Sequence, residues 1–406
     1  MHPMVKPALR RGWRDLNTVQ FGMTPAHALT LGPVDTATGS FLDLLDGTRG
    51  LALLREEGRR MDLPDGHVDR LVERLARAGL LDDARGGGPE AADLRKRKDV
   101  LDRLRPDLAA LSLLTSEPGD AMEHLTVRRR LRVQVRGAGR VGAVLAALLS
   151  GAGIGEVDVR DGGLVEPGDV APGGLPAEAV GERRDESARR AVRRAAPGPA
   201  PRRSPGSPPE ADSPGFALVI IAPRDDVSVH APAPSAAEPL IASGTPHLYA
   251  GVVEGTGVVG PLVLPGETGC AGCLHQERTD RDPAWPRLVA QWHSGRRRAA
   301  RACDLTLATT VAGLAAAHAL TFLDGRTPSS VGARWEVSVP ALQWHARPVS
   351  PHSACPCGAA EKGKQEHQEH IAEERGTHAT MAVQHSKEFR RTTDAARLAG
   401  TWRAHV

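Results

Sequence analysis

The stretch LRVQVRGAGRVG, Leu131 to Gly142, decides how this chain is read. LRVQV has the short apolar character of a buried strand, and Gly137-Ala138-Gly139-Arg140-Val141-Gly142 follows it as a tight turn. Ala143–Leu149 then reads as a helix and Glu156–Arg160 as a second strand, ending at Asp161. Strand, glycine turn, helix, strand is the opening unit of a doubly wound α/β sheet. Such a turn lets backbone N–H groups approach a phosphate, and the helix that follows favours negative charge there. Gly137, Gly139 and Gly142 are therefore candidate nucleotide-binding residues, with Asp161 placed where a ribose hydroxyl would be held. The same glycines would also serve a close-packed turn that holds no ligand.

Downstream, Glu186–Ala195 is a helix by pattern, and PGPAPRRSPGSPPEADSPG (Pro197–Gly215) has the composition of a disordered surface loop. Phe216–Ala222 resumes as a buried parallel strand, Val258–Leu264 is a further strand, and Thr306–Leu323 is an Ala/Leu-rich helix. Arg334–Val339 and Leu342–Ala346 read as late strands. Beyond Ala359 the residues turn polar, with His367, His370, His378 and His385 at spacings that fit no metal template, so 359–406 reads as a disordered tail.

The most specific chemical signal is Cys270-Ala271-Gly272-Cys273 with Cys355-Pro356-Cys357. Two close thiol pairs from distant segments suit a tetrahedral zinc, and four thiolates leave no open position, so the site would be structural. His352 is a reserve ligand; inert buried thiols are the alternative. Cys303 stands alone after Arg296, Arg297, Arg298 and Arg301 and before a helix, a setting that would lower a thiol pKa and make a nucleophile. A small buried apolar residue is the plainer account of it.

Upstream, residues 1–84 read as a small α/β module of winged-helix type. Strands are expected at Thr18–Phe21 and Ala28–Leu31, and helices at Ser40–Leu45, Leu51–Arg60 and Asp65–Ala78. Residues 85–127 read as a helical linker, Ala91–Leu104 then Asp107–Leu114, which leaves 128–358 as the nucleotide-binding domain.

Charge is nearly balanced, 52 basic against 49 acidic residues for a net +3, so no global field draws the chain to nucleic acid or membrane. Arg128, Arg129, Arg130 and Arg132 make only a weak case for nucleic acid. No signal peptide opens the sequence, and the apolar run Val311–Leu323 is short for a bilayer and contains His318. Five cysteines grouped in this way fit a metal in a reducing compartment, hence a cytoplasmic protein.

The glycine turn, Asp161-Gly162-Gly163-Leu164-Val165-Glu166 and the two cysteine pairs, in that order, make residues 128 to 358 resemble the ThiF, MoeB and ubiquitin-activating-enzyme superfamily. The chain is most similar to actinobacterial ThiF-like proteins that bind leader peptides in thiazole/oxazole-modified microcin systems. VQFG, FLDLLDG and LARAGLLDD are similar to the winged-helix peptide-recognition domain of those proteins. The resemblance implies ATP, magnesium and an acyl-adenylate, formed on the C-terminal carboxylate of a precursor peptide or small carrier protein, and a homodimer. It places Asp225 at the magnesium-associated aspartate and Arg184 at the family lysine, both as candidate catalytic residues. Other positions depart from the pattern: the second aspartate is Gly163, the asparagine is Asp169, and the arginine–glutamine pair falls on Pro172 and Gly173. Arg140 replaces a glycine of the turn, placed either to contact a phosphate or to block one.

Three functions follow as expectations. The chain is an ATP-dependent adenylyltransferase of the ThiF type, or it is a non-catalytic scaffold that binds a leader peptide along a strand near Val19–Phe21 and docks a separate ATP-using modification enzyme. The third, a dinucleotide-dependent oxidoreductase, rests on the glycine turn and Asp161 alone.

Overall fold

The computed structural model describes residues 1–199, 215–294 and 301–361, which form two compact units that divide between Val127 and Arg128. Most of the expected loop 197–215 and all but the first three residues of the expected 359–406 tail lie outside the described residues, as do Arg296–Arg298.

In the first unit, β1 (Pro3–Val5), β2 (Arg11–Asp15), β3 (Thr18–Phe21) and β4 (Leu29–Leu31) precede α1 (Thr36–Phe41), α2 (Leu51–Arg60), α3 (His67–Arg77) and β5 (Leu81–Asp83). β2, β3 and β4 make an antiparallel sheet with β3 in the centre, and β1 pairs with β5. Phe21, Phe41, Leu54, Leu75, Leu80 and Leu81 fill the core between them. α3 is the clearest amphipathic helix, burying Val68, Leu71, Val72 and Leu75 on one face. β3 is not an edge, so the expectation that a peptide pairs along Val19–Phe21 is corrected: the open edges belong to β2 and β4. α4 (Gly88–Lys96), α5 (Lys98–Leu114) and α6 (Asp120–Arg128) follow, and α5 runs unbroken through Pro106, where the sequence suggested two helices. Leu94, Leu104, Leu111 and Leu125 give these helices a core of their own.

The second unit contains β6 (Arg132–Arg136), α7 (Arg140–Gly151), β7 (Glu156–Arg160), α8 (Arg184–Ala195), β8 (Leu218–Ile221), α9 (Asp226–His230), α10 (Pro234–Ala242), β9 (His247–Val253) and β10 (Thr256–Val263). α11 (Ala271–Arg281), α12 (Trp285–Ser294), α13 (Leu305–Leu323), β11 (Ala333–Ser338) and β12 (Trp344–Pro348) complete it. The sheet order is β12-β11-β10-β9-β8-β6-β7. β7, β6, β8 and β9 are parallel, while β10, β11 and β12 are antiparallel, so the expected doubly wound sheet is a mixed one. The switch in direction is made by a two-residue hairpin, in which Glu254 and Gly255 both take positive φ.

Alternation along the strands sends Val133, Val135, Leu218, Ile220, Leu248 and Ala250 into the core shared with α7 and α13. Tyr249 and Val263 point the other way, towards Cys270 and Cys273. α13 is a single helix of 19 residues, as the reading of Thr306–Leu323 expected, and by length and composition alone it would pass as a membrane span. Leu307, Ala308, Val311, Ala312, Ala315 and Ala319 of this helix are buried in the shared core.

Arg128 ties the start of this unit to its far end. Its guanidinium donates twice to the Asp324 carboxylate, at 2.6 Å each, with the two side chains only 7% and 3% exposed. Replacing one partner of such a pair strands the other charge in the interior. Asp324→Ala is therefore expected to lose about 3–5 kcal/mol of stability, measured by chemical denaturation.

Candidate functional site

β6 sends the chain to β7 on one side, and β8 lies on its other side, so the carboxyl ends of β6 and β8 flank the point where a doubly wound sheet opens a crevice. The glycine turn sits there. Gly137 has φ +108° and its Cα faces the Ala222 carbonyl, so a side chain would strike backbone. Gly142 lies against the Gly137 carbonyl in the same way, bringing α7 close to the sheet. Gly139 is the N-cap of α7 and is covered by the stem of Arg224, whose Cγ stands 2.6 Å from where a Cβ would be.

Asp161 is fully engaged. One oxygen accepts the Ala138 N–H at 2.8 Å, and the other accepts the Gly163 N–H at 2.9 Å together with Arg184 Nε at 3.0 Å. Burial opposes its charge, but Arg184 and the two N–H groups outweigh burial and hold its carboxyl below the ordinary range. Arg184 also donates to the Leu164 carbonyl and lies 3.6 Å from Asp169. It reaches Asp161 across Gly163, where any Cβ would collide with the guanidinium. Arg224 Nε donates to Asp169 at 2.6 Å, and its outer nitrogens grip Glu166 at 3.1 and 2.7 Å. Sequence reasoning missed Arg224 altogether, because only the path of the β8–α9 turn brings it over Gly139. Arg140 leaves the turn and donates to the Cys303 carbonyl at 2.8 Å.

Asp225 caps α9: its oxygens accept the Ser228 N–H at 3.1 Å and hydroxyl at 2.6 Å, and the Val227 N–H at 3.4 Å. At the other end of α9, Arg278 and Arg334 hold the His230 carbonyl at 2.7 and 3.4 Å. The His230 ring lies edge-on to Trp285 and Trp292, with centroids 5.6 and 5.9 Å away. Cys303 is half-buried against the main core, and burial pushes its thiol up in spite of Arg140 and Arg301, so the depressed pKa expected from its basic neighbours is absent. Arg128 and Arg129 are buried and Arg132 pairs with Glu156, so these residues form no basic face.

The four cysteines do converge. Their sulfurs lie within 4.8 Å of one another, with Cys270 3.6 Å from Cys355 and Cys273 3.5 Å from Cys357. Thiolates bound about 2.3 Å from a tetrahedral zinc would stand about 3.8 Å apart, so the cluster has the dimensions such an ion requires. Gly272 is needed at the elbow, since a Cβ there would meet Cys355 Sγ at 2.8 Å. Cys270 donates to Cys273, which raises the first thiol and, with the His352 N–H, draws the second down to about 4. Burial lifts Cys355 to about 11. Cys270 and Cys355 thus resist ionising beside Cys273, and a divalent cation would relieve that resistance. The His352 ring bonds Asp280 at 2.9 Å and is a neighbour of the cluster.

The ThiF family model matches residues 118–357. The chain belongs to the ThiF family. Among solved structures, this ThiF-family chain is similar to E. coli MccB with succinimide, at 14% identity and TM-score 0.62, over 88% of this chain and 99% of that one. The microcin C7 biosynthetic enzyme MccB in complex with N-formylated MccA gives 14% identity and TM-score 0.61, over 88% and 100%. The heterocyclase TruD gives 18% identity and TM-score 0.57, over 89% of this chain and 43% of TruD. No curated protein matches. The family resemblance read from the sequence holds, and the likeness to these structures is one of fold.

Burial first, then Arg278 and Arg334, lower the His230 pKa from 6.5 to about 4. Between those values the unfolded chain binds more protons than the folded one, so this contribution is complete above the ordinary histidine pKa and is lost as pH falls towards the folded value. The denaturation midpoint is expected to be lower near pH 5 than near pH 7, and His230→Phe should shrink that difference.

Proposed function

We propose that this chain is a non-catalytic, peptide-binding member of the ThiF family that presents a leader peptide to a separate modification enzyme. Residues 1–84 act as a winged-helix recognition domain, and the peptide adds as a strand to the free edge of β4. The observation that carries this is the contrast between the two edges. β2 reads Arg-Gly-Trp-Arg-Asp, is exposed throughout and has Arg11 on Asp43 and Arg14 on Gln20 at 2.8 Å. Charged side chains protect an edge from pairing. β4 reads Leu-Thr-Leu and carries no charge.

The solved MccB–MccA complex supports a peptide as the class of partner. TruD is described as a heterocyclase, and this chain has no counterpart to more than half of it, which supports chemistry supplied by another polypeptide. Loss of activity in this chain is consistent with Pro172 and Gly173 at the positions of the arginine and glutamine, since a cation aimed at developing charge is a large catalytic contribution. Asp225 serves as a helix cap and Arg184 as the partner of Asp161, which supports structural duties for both candidate catalytic residues. Zinc is the ion proposed for Cys270, Cys273, Cys355 and Cys357, closing the sheet's second face.

Titration with short peptides encoded beside the gene is expected to show saturable binding. Deletion of residues 1–84 should abolish it, and Thr30→Lys on β4 should weaken it at least about tenfold while Arg14→Glu on β2 does not. Binding that survives the deletion would sink the proposal, as would ATP–pyrophosphate exchange by the chain alone. Elemental analysis is expected to find one zinc per chain, and Cys273→Ser should lower both zinc content and melting temperature.

A further inference from the structure

The turn at Gly137–Gly142 has the parts from which a phosphate cradle is built: a close-approach glycine, the N-terminus of a helix of 12 residues, and an acid at the end of the next strand. In this chain its own side chains cover the glycine and bond the acid. Arg224 lies over Gly139, with its Nε on Asp169 and its outer nitrogens on Glu166. Arg184 holds Asp161 through Nε at 3.0 Å and a second nitrogen at 2.8 Å, and gives its remaining nitrogen to Leu164 and Asp169.

We infer that Arg184 and Arg224 set the ligand class of this crevice by excluding nucleotides: Arg224 fills the space above Gly139 that a phosphate would enter, and Arg184 retains the carboxylate that a ribose would need. This rests on the preceding reading only in making the α/β unit a non-user of nucleotide.

The exclusion has a steric part and an electrostatic part. The stem of Arg224 stands in contact distance of the Gly139 Cα, so nothing else can lie on that glycine until the side chain moves. Moving it means breaking a two-pronged contact with Glu166 and a bond to Asp169, whose side chain is 4% exposed. An arriving phosphate would repel that buried carboxylate while removing one of its two cations. The network also explains Gly163. With any side chain there Arg184 could not lie where it does, so Gly163 and Arg184 are a matched pair that keeps Asp161 closed.

The test is calorimetric titration of the full, metal-replete chain with ATP and magnesium, and separately with NADH. The natural sequence is expected to bind neither. Arg224→Ser, which uncovers Gly139, should gain saturable binding of at least one of them, at least about tenfold tighter than the unaltered chain, and Arg184→Gln/Arg224→Ser should gain more by releasing Asp161. Melting temperature identifies a folded variant, and where the double variant does not fold the single one decides. Tight binding by the unaltered chain that Arg224→Ser weakens would overturn the inference, because Arg224 would then be a phosphate ligand. Folded Arg224→Ser that still binds neither nucleotide would overturn it too. Peptide titration of the same samples separates the two readings: nucleotide exclusion with no peptide binding defeats only the preceding proposal.

Discussion

The second unit depends on how closely one piece of backbone passes another. β6 ends in a turn that must fit against the end of β8, and α7 must then start directly above it. Gly137 faces the Ala222 carbonyl and Gly142 faces the Gly137 carbonyl, both at separations that leave no room for a Cβ. Only glycine also tolerates the φ of +108° at position 137. From this approach follow the seating of α7 on Val133 and Val135, the packing of α13 beside it, and the delivery of Asp161 to the Ala138 N–H. A phosphate site and a tight structural joint make the same demand on these residues, which is why the turn survives as architecture whether or not anything binds.

That shared demand sets what can be read from the residues alone. The turn, its strands and the converging thiols were legible because each depends on residue type at fixed spacing: glycine where nothing else fits, cysteines in close pairs. β9 was missed although it is central and Gly244-Thr245-Pro246 punctuate its start, because a short apolar run such as HLYAGVV does not by its pattern distinguish a buried strand from a buried helix segment. The antiparallel half of the sheet was hidden for a related reason, since strand direction depends on the Glu254–Gly255 hairpin and not on composition. Side-chain destinations were the least legible. Arg184 could be aligned with a lysine, yet its reach across Gly163 to Asp161 depends on a three-dimensional vacancy. Cys303 showed its basic neighbours in the sequence, while the burial that governs its thiol appears only when α13 is packed on the core.

The placement of arginine in the folded chain shows why the case for nucleic acid was weak. Arg128 is spent on Asp324, Arg132 on Glu156, and Arg334 on Glu336 and the carbonyls that end α9. Guanidinium suits such interior work because its planar fork satisfies two acceptors at once and stays charged when buried. With only one tyrosine and five phenylalanines in the chain, paired arginines and acids take up joining work that aromatic side chains often do.

The cysteine cluster and the glycine turn are held together by unlike means. At the cysteine cluster, four like groups crowd together with the spacing that suits a divalent cation. At the glycine turn, opposite groups are already matched, two guanidiniums among three carboxylates, so the crevice has little to gain from a ligand. A buried ion pair adds little net stability over an apolar filling of the same shape, but removing one member is costly. Arg184 depends on the space left at Gly163, and Asp161 depends on Arg184, so a change at either position leaves a buried carboxylate without its guanidinium.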